Sequence, residues 1–144
     1  MSARTVYLIK RIETEVTAQM NRALMDFDIT LAQFIVLNFV NDHTHDLSSA
    51  QLSRRFNMTP QSMNEVVTTL QRKGLIEKKS NSDNKRVLLI GLTPKGVEVL
   101  TKCNEAIDTV ESELFRPFSE KELTQYRNLI GKLLAHVRTN ENNL

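Results

Sequence analysis

The sequence predicts a mainly α-helical chain with one small β-hairpin set among its helices. Three observations lead there. Apolar residues recur at spacings of three and four through most of the 144 residues. Ser or Thr helix-start signals precede those stretches, and two β-compatible runs lie close together around a polar turn. With 40% hydrophobic residues a chain of this length builds one ordinary core, so a single domain over residues 1–144 is expected.

From about Thr5 to Leu24, Ile9, Ile12, Val16, Met20 and Ala23 fall on one helical stripe. Asp26 to Asp28 interrupt it. Thr30-Leu31-Ala32-Gln33 then has the spacing at which a Thr side chain and a Gln side chain satisfy each other's backbone N–H groups, with Ile29 and Phe34 placed to clasp the entry. The second helix runs to about Asn41 and is apolar nearly all round (Phe34, Ile35, Val36, Leu37, Phe39, Val40), which predicts burial. After a polar loop, Ser48 and Gln51 repeat the same device, with Leu47 placed against Leu52, and open a short third helix ending near Phe56. Asn57 tolerates the left-handed conformation of a tight turn, and Thr59-Pro60 supplies an N-cap followed by proline at the first helical position. The fourth helix carries Met63, Val66, Val67 and Leu70 on one stripe and ends at Gly74.

Two short helices joined across three or four residues make a helix-turn-helix. Leu75 to Lys79 and Arg86 to Leu92 follow as strands around the polar stretch 80–85, a hairpin with a basic tip. These elements together predict a winged helix-turn-helix lobe over residues 29–95. Thr93-Pro94 caps a long fifth helix with the stripe Val97, Leu100, Cys103, Ile107, Val110 and Leu114, stopping before Pro117. Ser119-Glu120-Lys121-Glu122 opens a sixth helix, clasped by Phe118 and Leu123, whose stripe continues through Tyr126, Ile130, Leu133 and Val137.

Net charge is only +2, but it is unevenly spread. Between Arg54 and Lys95 nine Lys or Arg stand against three acids, a net +6, while the remainder carries ten against fourteen, a net −4. A basic middle between acidic ends is what phosphate neutralisation requires, because it gathers cations on one surface. With Met63, Val66, Val67 and Leu70 turned inward, the opposite face of the fourth helix presents Gln61, Ser62, Asn64, Glu65, Thr68 and Thr69. Asn and Gln can bond bidentately to adenine, Ser and Thr are adaptable, and Glu can accept from cytosine, so Gln61, Ser62, Asn64, Glu65 and Thr68 are the candidate base-reading residues in a major groove. Arg54, Arg55, Thr59, Arg72 and Lys73 flank that helix as candidate phosphate contacts. At the wing, Asp83, Asn84, Lys85 and Arg86 are singled out, the two cations as candidates for a minor groove.

By these residues the chain resembles the MarR family of regulators over nearly its whole length. Three segments carry the likeness: Ile29-Thr30-Leu31-Ala32-Gln33-Phe34-Ile35-Val36-Leu37, the stretch from Leu47 to Ile76, and the exit Leu92-Thr93-Pro94-Lys95-Gly96. There is one departure. The family's wing usually carries Asp-x-Arg, whereas ungapped counting back from Leu92-Thr93 puts Asn84 at the acid position and Arg86 at the arginine, with Asp83 one residue early. Either Asp83 pairs with Arg86 across a lengthened tip, or Asn84 orients the arginine through a neutral hydrogen bond.

The stripes of the first, fifth and sixth helices exceed what a small lobe can cover, so pairing with a second copy is expected. Residues 1–25 and 96–144 are then dimerisation helices, with Ile9, Ile12, Val16, Tyr126, Ile130, Leu133 and Val137 in the interface. The resemblance implies the same homodimer. It also implies a sequence-specific double-stranded DNA-binding transcriptional regulator, in the sense of a repressor on a pseudo-palindromic operator, and a small aromatic or anionic effector between dimer region and DNA lobe.

Other function classes find less in the sequence. Cys103 suggests a redox-sensing regulator, but it lies on an apolar stripe where free cysteine usually serves as a small hydrophobe. One cysteine makes no disulfide framework, which fits a reducing cytoplasm. Asp42-His43-Thr44-His45-Asp46 gathers metal-capable side chains without a further Cys or His nearby to complete a tetrahedral set, so neither metal nor cofactor is expected. Four glycines form no phosphate loop, no nucleophile motif occurs, and no run of eighteen apolar residues suggests a membrane span. The remaining rival is a winged-helix protein-interaction module without DNA binding, which has no use for the basic flanks.

Overall fold

The computed structural model describes residues 4–42, 48–56, 58–80, 82–83 and 88–141. Among them are α1 (Thr5–Met25), α2 (Leu31–Asp42), α3 (Ser49–Arg55), α4 (Pro60–Arg72), β1 (Ile76–Ser80), β2 (Leu88–Leu92), α5 (Pro94–Leu114) and α6 (Glu120–Glu141). This is the winged helix-turn-helix fold expected from the pattern of apolar spacings and turns.

Each helix start follows from its local chemistry. Thr30 and Gln33 exchange side-chain and backbone hydrogen bonds, both 3.2 Å, at the entrance to α2. Ser48 and Gln51 do so at α3, and Ser119 and Glu122 at α6. Leu47, assigned to clasp Leu52, lies outside the described residues. Thr59 Oγ1 accepts from the Ser62 N–H at 3.1 Å, with Pro60 at the first helical position. At the other end of α4, Gly74 adopts φ +74°. The Leu75 N–H then bonds back to the Leu70 carbonyl at 3.0 Å, and the Gly74 N–H bonds to the Gln71 carbonyl at 2.9 Å. That pair of bonds is the Schellman arrangement, which needs the left-handed residue glycine supplies.

The chain divides into two units, Met1–Asp108 and Thr109–Leu144, at a point inside α5. In the first, a single core gathers Leu24 from α1, Phe34, Val36, Leu37 and Val40 from α2, Leu52 from α3, and Met63, Val67 and Leu70 from α4. Ile29, Leu75, Ile76, Ile90, Leu100 and Cys103 complete it. β1 and β2 pair antiparallel, from Ile76 opposite Leu92 to Ser80 opposite Leu88. In the second unit, Phe115, Phe118 and Tyr126 form a ring cluster with centroids 5.6–5.8 Å apart, and Arg127 bonds Glu111 at 2.8 Å.

Three details differ from the sequence reading. The first strand begins at Ile76 and ends at Ser80, one residue later than Leu75 to Lys79, because Leu75 still closes the α4 cap. Val66 and Thr69 are each half-buried, on the two shoulders of the α4 stripe. The buried stripe of α5 starts at Gly96 and not at Val97, which is exposed. Glycine there lets α5 rest directly on the Leu75 backbone, and a sequence pattern built on side-chain hydrophobicity cannot register a missing side chain.

Candidate nucleic-acid interface

The surface of interest is built on the α3–turn–α4 unit. Met58 N–H bonds the Ser53 carbonyl at 3.0 Å across the turn, and Met63, Val67 and Leu70 anchor α4 in the core. The 3.6-residue period then forces the other face outward. Gln61, Ser62, Asn64, Glu65 and Thr68 are all exposed, so the structure brings the five base-reading candidates onto one face of one helix. Thr59 also donates its hydroxyl to Ser62 Oγ at 2.9 Å, which holds the Ser62 side chain at the helix entrance.

The flanking cations separate into two groups. Arg54, Arg55 and Arg72 are exposed around α4. Arg55 lies over the Phe39 ring, 5.2 Å from its centroid, and Phe39 meets Phe56 edge-on at 5.1 Å. That stacking orients the guanidinium and leaves its edge to solvent. The sequence pattern had no access to it, since it joins α2 to α3. Arg72 reaches Thr69 Oγ1 at 3.4 Å.

Lys73, a candidate phosphate contact, is engaged within the lobe: its ammonium donates to the Asp28 carbonyl and, at 3.3 Å, to Gln33 Oε1, with the Asp28 carboxylate 3.4 Å away. The side chain is only 25% exposed. The turn between α1 and α2, where Asp28 takes φ +54°, projects its carbonyl at the end of α4 and captures the lysine. Thr59, another candidate phosphate contact, both accepts and donates through its hydroxyl within the cap.

Residues that the sequence reading gave no site role converge on the same place. Thr93 donates its N–H to the Leu75 carbonyl at 3.1 Å and its hydroxyl to the Gly74 carbonyl at 2.6 Å. Lys95 Nζ donates to the Lys73 carbonyl at 3.1 Å. The Thr-Pro-Lys-Gly exit was legible as a helix start, but its bonds reach eighteen to twenty-two residues back and carry no local signal. Between the α1–α2 turn, the end of α4 and the start of α5 lies a cavity of about 200 Å³ lined by Phe27, Asp28, Ile29, Lys73, Leu75, Lys95 and Val99.

Of the wing candidates, Asp83 is exposed, whereas Asn84, Lys85 and Arg86 lie outside the described residues, as do His43 and His45. Among the described residues no three His, Cys, Asp or Glu gather to hold a metal ion, and no helix is long and apolar enough to cross a membrane. Cys103 is fully buried, and burial raises its thiol pKa above the ordinary value. A buried, protonated thiol lacks both the access and the thiolate that oxidant sensing needs. On the dimer candidates, Ile9, Ile12, Ile130, Leu133 and Val137 are exposed in the single chain, Val16 is half-buried, and Tyr126 packs on Phe115 and Phe118.

Comparison with known proteins bears on this lobe. Residues 27–87 match the family model described as the MarR family. Over those residues the winged helix-turn-helix lobe is similar to the MarR family. An HTH-type transcriptional regulator of Bacillus subtilis, YdcH, is 28% identical over 121 residues, covering 82% of this chain and 81% of that protein. The HTH-type transcriptional repressor Rv2887 of Mycobacterium tuberculosis is 24% identical over 127 residues, covering 88% and 91%. Among solved structures, the Staphylococcus aureus MepR–DNA complex superposes with a TM-score of 0.82 at 26% identity, covering 94% of this chain and 99% of that one.

Proposed function

We propose that the chain is a transcriptional regulator that binds double-stranded DNA as a homodimer and represses from a pseudo-palindromic operator. One observation carries the reading: an uncharged polar face, Gln61, Ser62, Asn64 and Thr68 with Glu65 beside them, projects from a helix pinned to the core behind it and ringed by Arg54, Arg55 and Arg72. The polar groups suit base edges and the arginines suit phosphates. MepR, a structural neighbour, is seen bound to DNA, and Rv2887 is named a repressor, which supports both halves of the proposal. Lys85 and Arg86 at the wing complete it as minor-groove contacts.

Exposed apolar side chains support dimerisation. Ile9 and Ile12 on α1, and Ile130, Leu133 and Val137 on α6, are 39–51% exposed in one chain. A second copy that covers them removes apolar surface from water at about 25 cal/mol per Å² and places two α4 helices about one DNA turn apart. A small aromatic or anionic effector belongs to the same reading. The cavity of about 200 Å³ that Lys73 and Lys95 line together with Phe27, Ile29 and Val99 is the candidate place for it, since it combines apolar walls with two cations.

The deciding experiment is selection of bound sequences from a random duplex pool. An enriched palindrome is the expected result. With about eight phosphate contacts, affinity falls about a thousandfold or more between 50 and 200 mM salt. A chain that ignores every duplex in dilute buffer is instead a protein-interaction module, and the proposal fails.

A further inference from the structure

Two lysines grip the C-terminus of α4 from different sides. The Lys73 ammonium donates two hydrogen bonds, to the Asp28 carbonyl and to Gln33 Oε1 at 3.3 Å, and forms an ion pair with the Asp28 carboxylate at 3.4 Å. The Asp28 side chain is 96% exposed, so that ion pair is screened, and the hold rests on the turn carbonyl and on Gln33, itself 8% exposed. Gln33 Oε1 also accepts the Thr30 N–H at 3.2 Å, so one amide oxygen joins the start of α2 to the end of α4. From the α5 side, Lys95 donates to the Lys73 carbonyl, which satisfies a terminal carbonyl of α4 and places a cation at the negative end of its dipole.

We propose that Lys73 is a positioning residue, which sets the tilt of α4 against the α1–α2 turn so that base discrimination, and not phosphate attraction, depends on it. The inference rests on α4 being the DNA-reading helix. Geometry explains the leverage. α4 has 13 residues, so at 1.5 Å per residue its reading end lies about 20 Å from the grip. A tilt of about 5° moves that end by about 1.7 Å, more than the range over which a hydrogen bond to a base edge survives. Because the turn follows directly on α1, the same contact carries a displacement of that end of α1 to α4.

The test compares wild type, Lys73→Met and Gln33→Met by fluorescence anisotropy on the selected operator and on a random duplex, each across a salt series. Positioning predicts that Lys73→Met weakens operator binding about tenfold, leaves random-duplex binding unchanged and leaves the salt slope unchanged. Gln33→Met, which keeps the lysine charge, loses discrimination in the same direction. A phosphate contact predicts equal loss on both duplexes, a salt slope smaller by about one per subunit, and no effect of Gln33→Met. That pattern, or no change in either variant, overturns the proposal. If Lys73→Met does not fold, Gln33→Met decides. If wild type binds no duplex, the proposed function has failed, and amide exchange at Gly74 and Leu75 judges the grip: faster in Lys73→Met supports it, unchanged refutes it.

Discussion

The carbonyl oxygen of Leu75 stands 2.0 Å from the point where a Cβ on Gly96 would lie, so the first turn of α5 rests on the chain leaving α4 with no room for a side chain. The obstructing atoms are backbone, and neither element can yield by rotating a side chain. Gly96→Ala therefore forces α5 away from Leu75, at an expected loss of about 1–3 kcal/mol typical of overpacking. Denaturant melts followed by circular dichroism measure it, and a variant as stable as wild type contradicts the contact.

Thr59 distinguishes a cap from a DNA contact. Its Oγ1 accepts the Ser62 N–H at 3.1 Å, so Thr59→Ala is expected to cost about 1 kcal/mol of stability and Thr59→Ser almost none. Thermal melts without DNA read the effect; a residue serving phosphate alone leaves both melts unmoved.

Base and phosphate contacts separate by their salt response. Gln61→Ala and Asn64→Ala are expected to weaken operator binding by about 1–3 kcal/mol each while leaving random duplex alone. Arg54→Ala and Arg72→Ala are expected to weaken both duplexes alike and to flatten the salt dependence. Anisotropy titrations on both duplexes check the pair, and an Asn64→Ala loss shared equally by random duplex removes that residue from base reading.

Cys103 gives a pH prediction. Burial raises its thiol pKa in the folded chain, so the folded state prefers the neutral thiol. The contribution is intact below the ordinary thiol range, begins to fall as pH climbs into it because the unfolded chain releases its proton first, and is lost beyond the raised value. Wild type is thus expected to lose more stability at alkaline pH than Cys103→Ala does. A soluble thiol reagent should label the folded chain slowly and the unfolded chain at once; rapid labelling of folded protein at neutral pH would falsify the burial argument.

The dimer is tested on α6. Leu133 is 47% exposed in the single chain, and Leu133→Asp is expected to yield single chains in light scattering while keeping helical content. Unchanged mass in that variant removes the α6 stripe from the interface.

The helices, the hairpin and their starts were legible because each rests on neighbours within four residues: Thr30 with Gln33, Ser48 with Gln51, Ser119 with Glu122, and the Gly74 cap. The outward face of α4 was legible for the same reason, since a buried stripe at helical period leaves its complement exposed. The sequence also marked Lys73 as one more cation of the basic middle, because composition records charge and not direction.

Tertiary structure alone decided where that charge goes. Asp28 and Gln33 lie forty-five and forty residues from Lys73, and only the turn between α1 and α2, folded against the end of α4, brings them within reach. Gly96 on Leu75 and Arg55 on Phe39 are decided the same way. Short-range hydrogen bonds and periodicity are encoded residue by residue along the chain. Contacts between distant segments exist only once a shared core fixes the distance between them, and it is those contacts that orient α4.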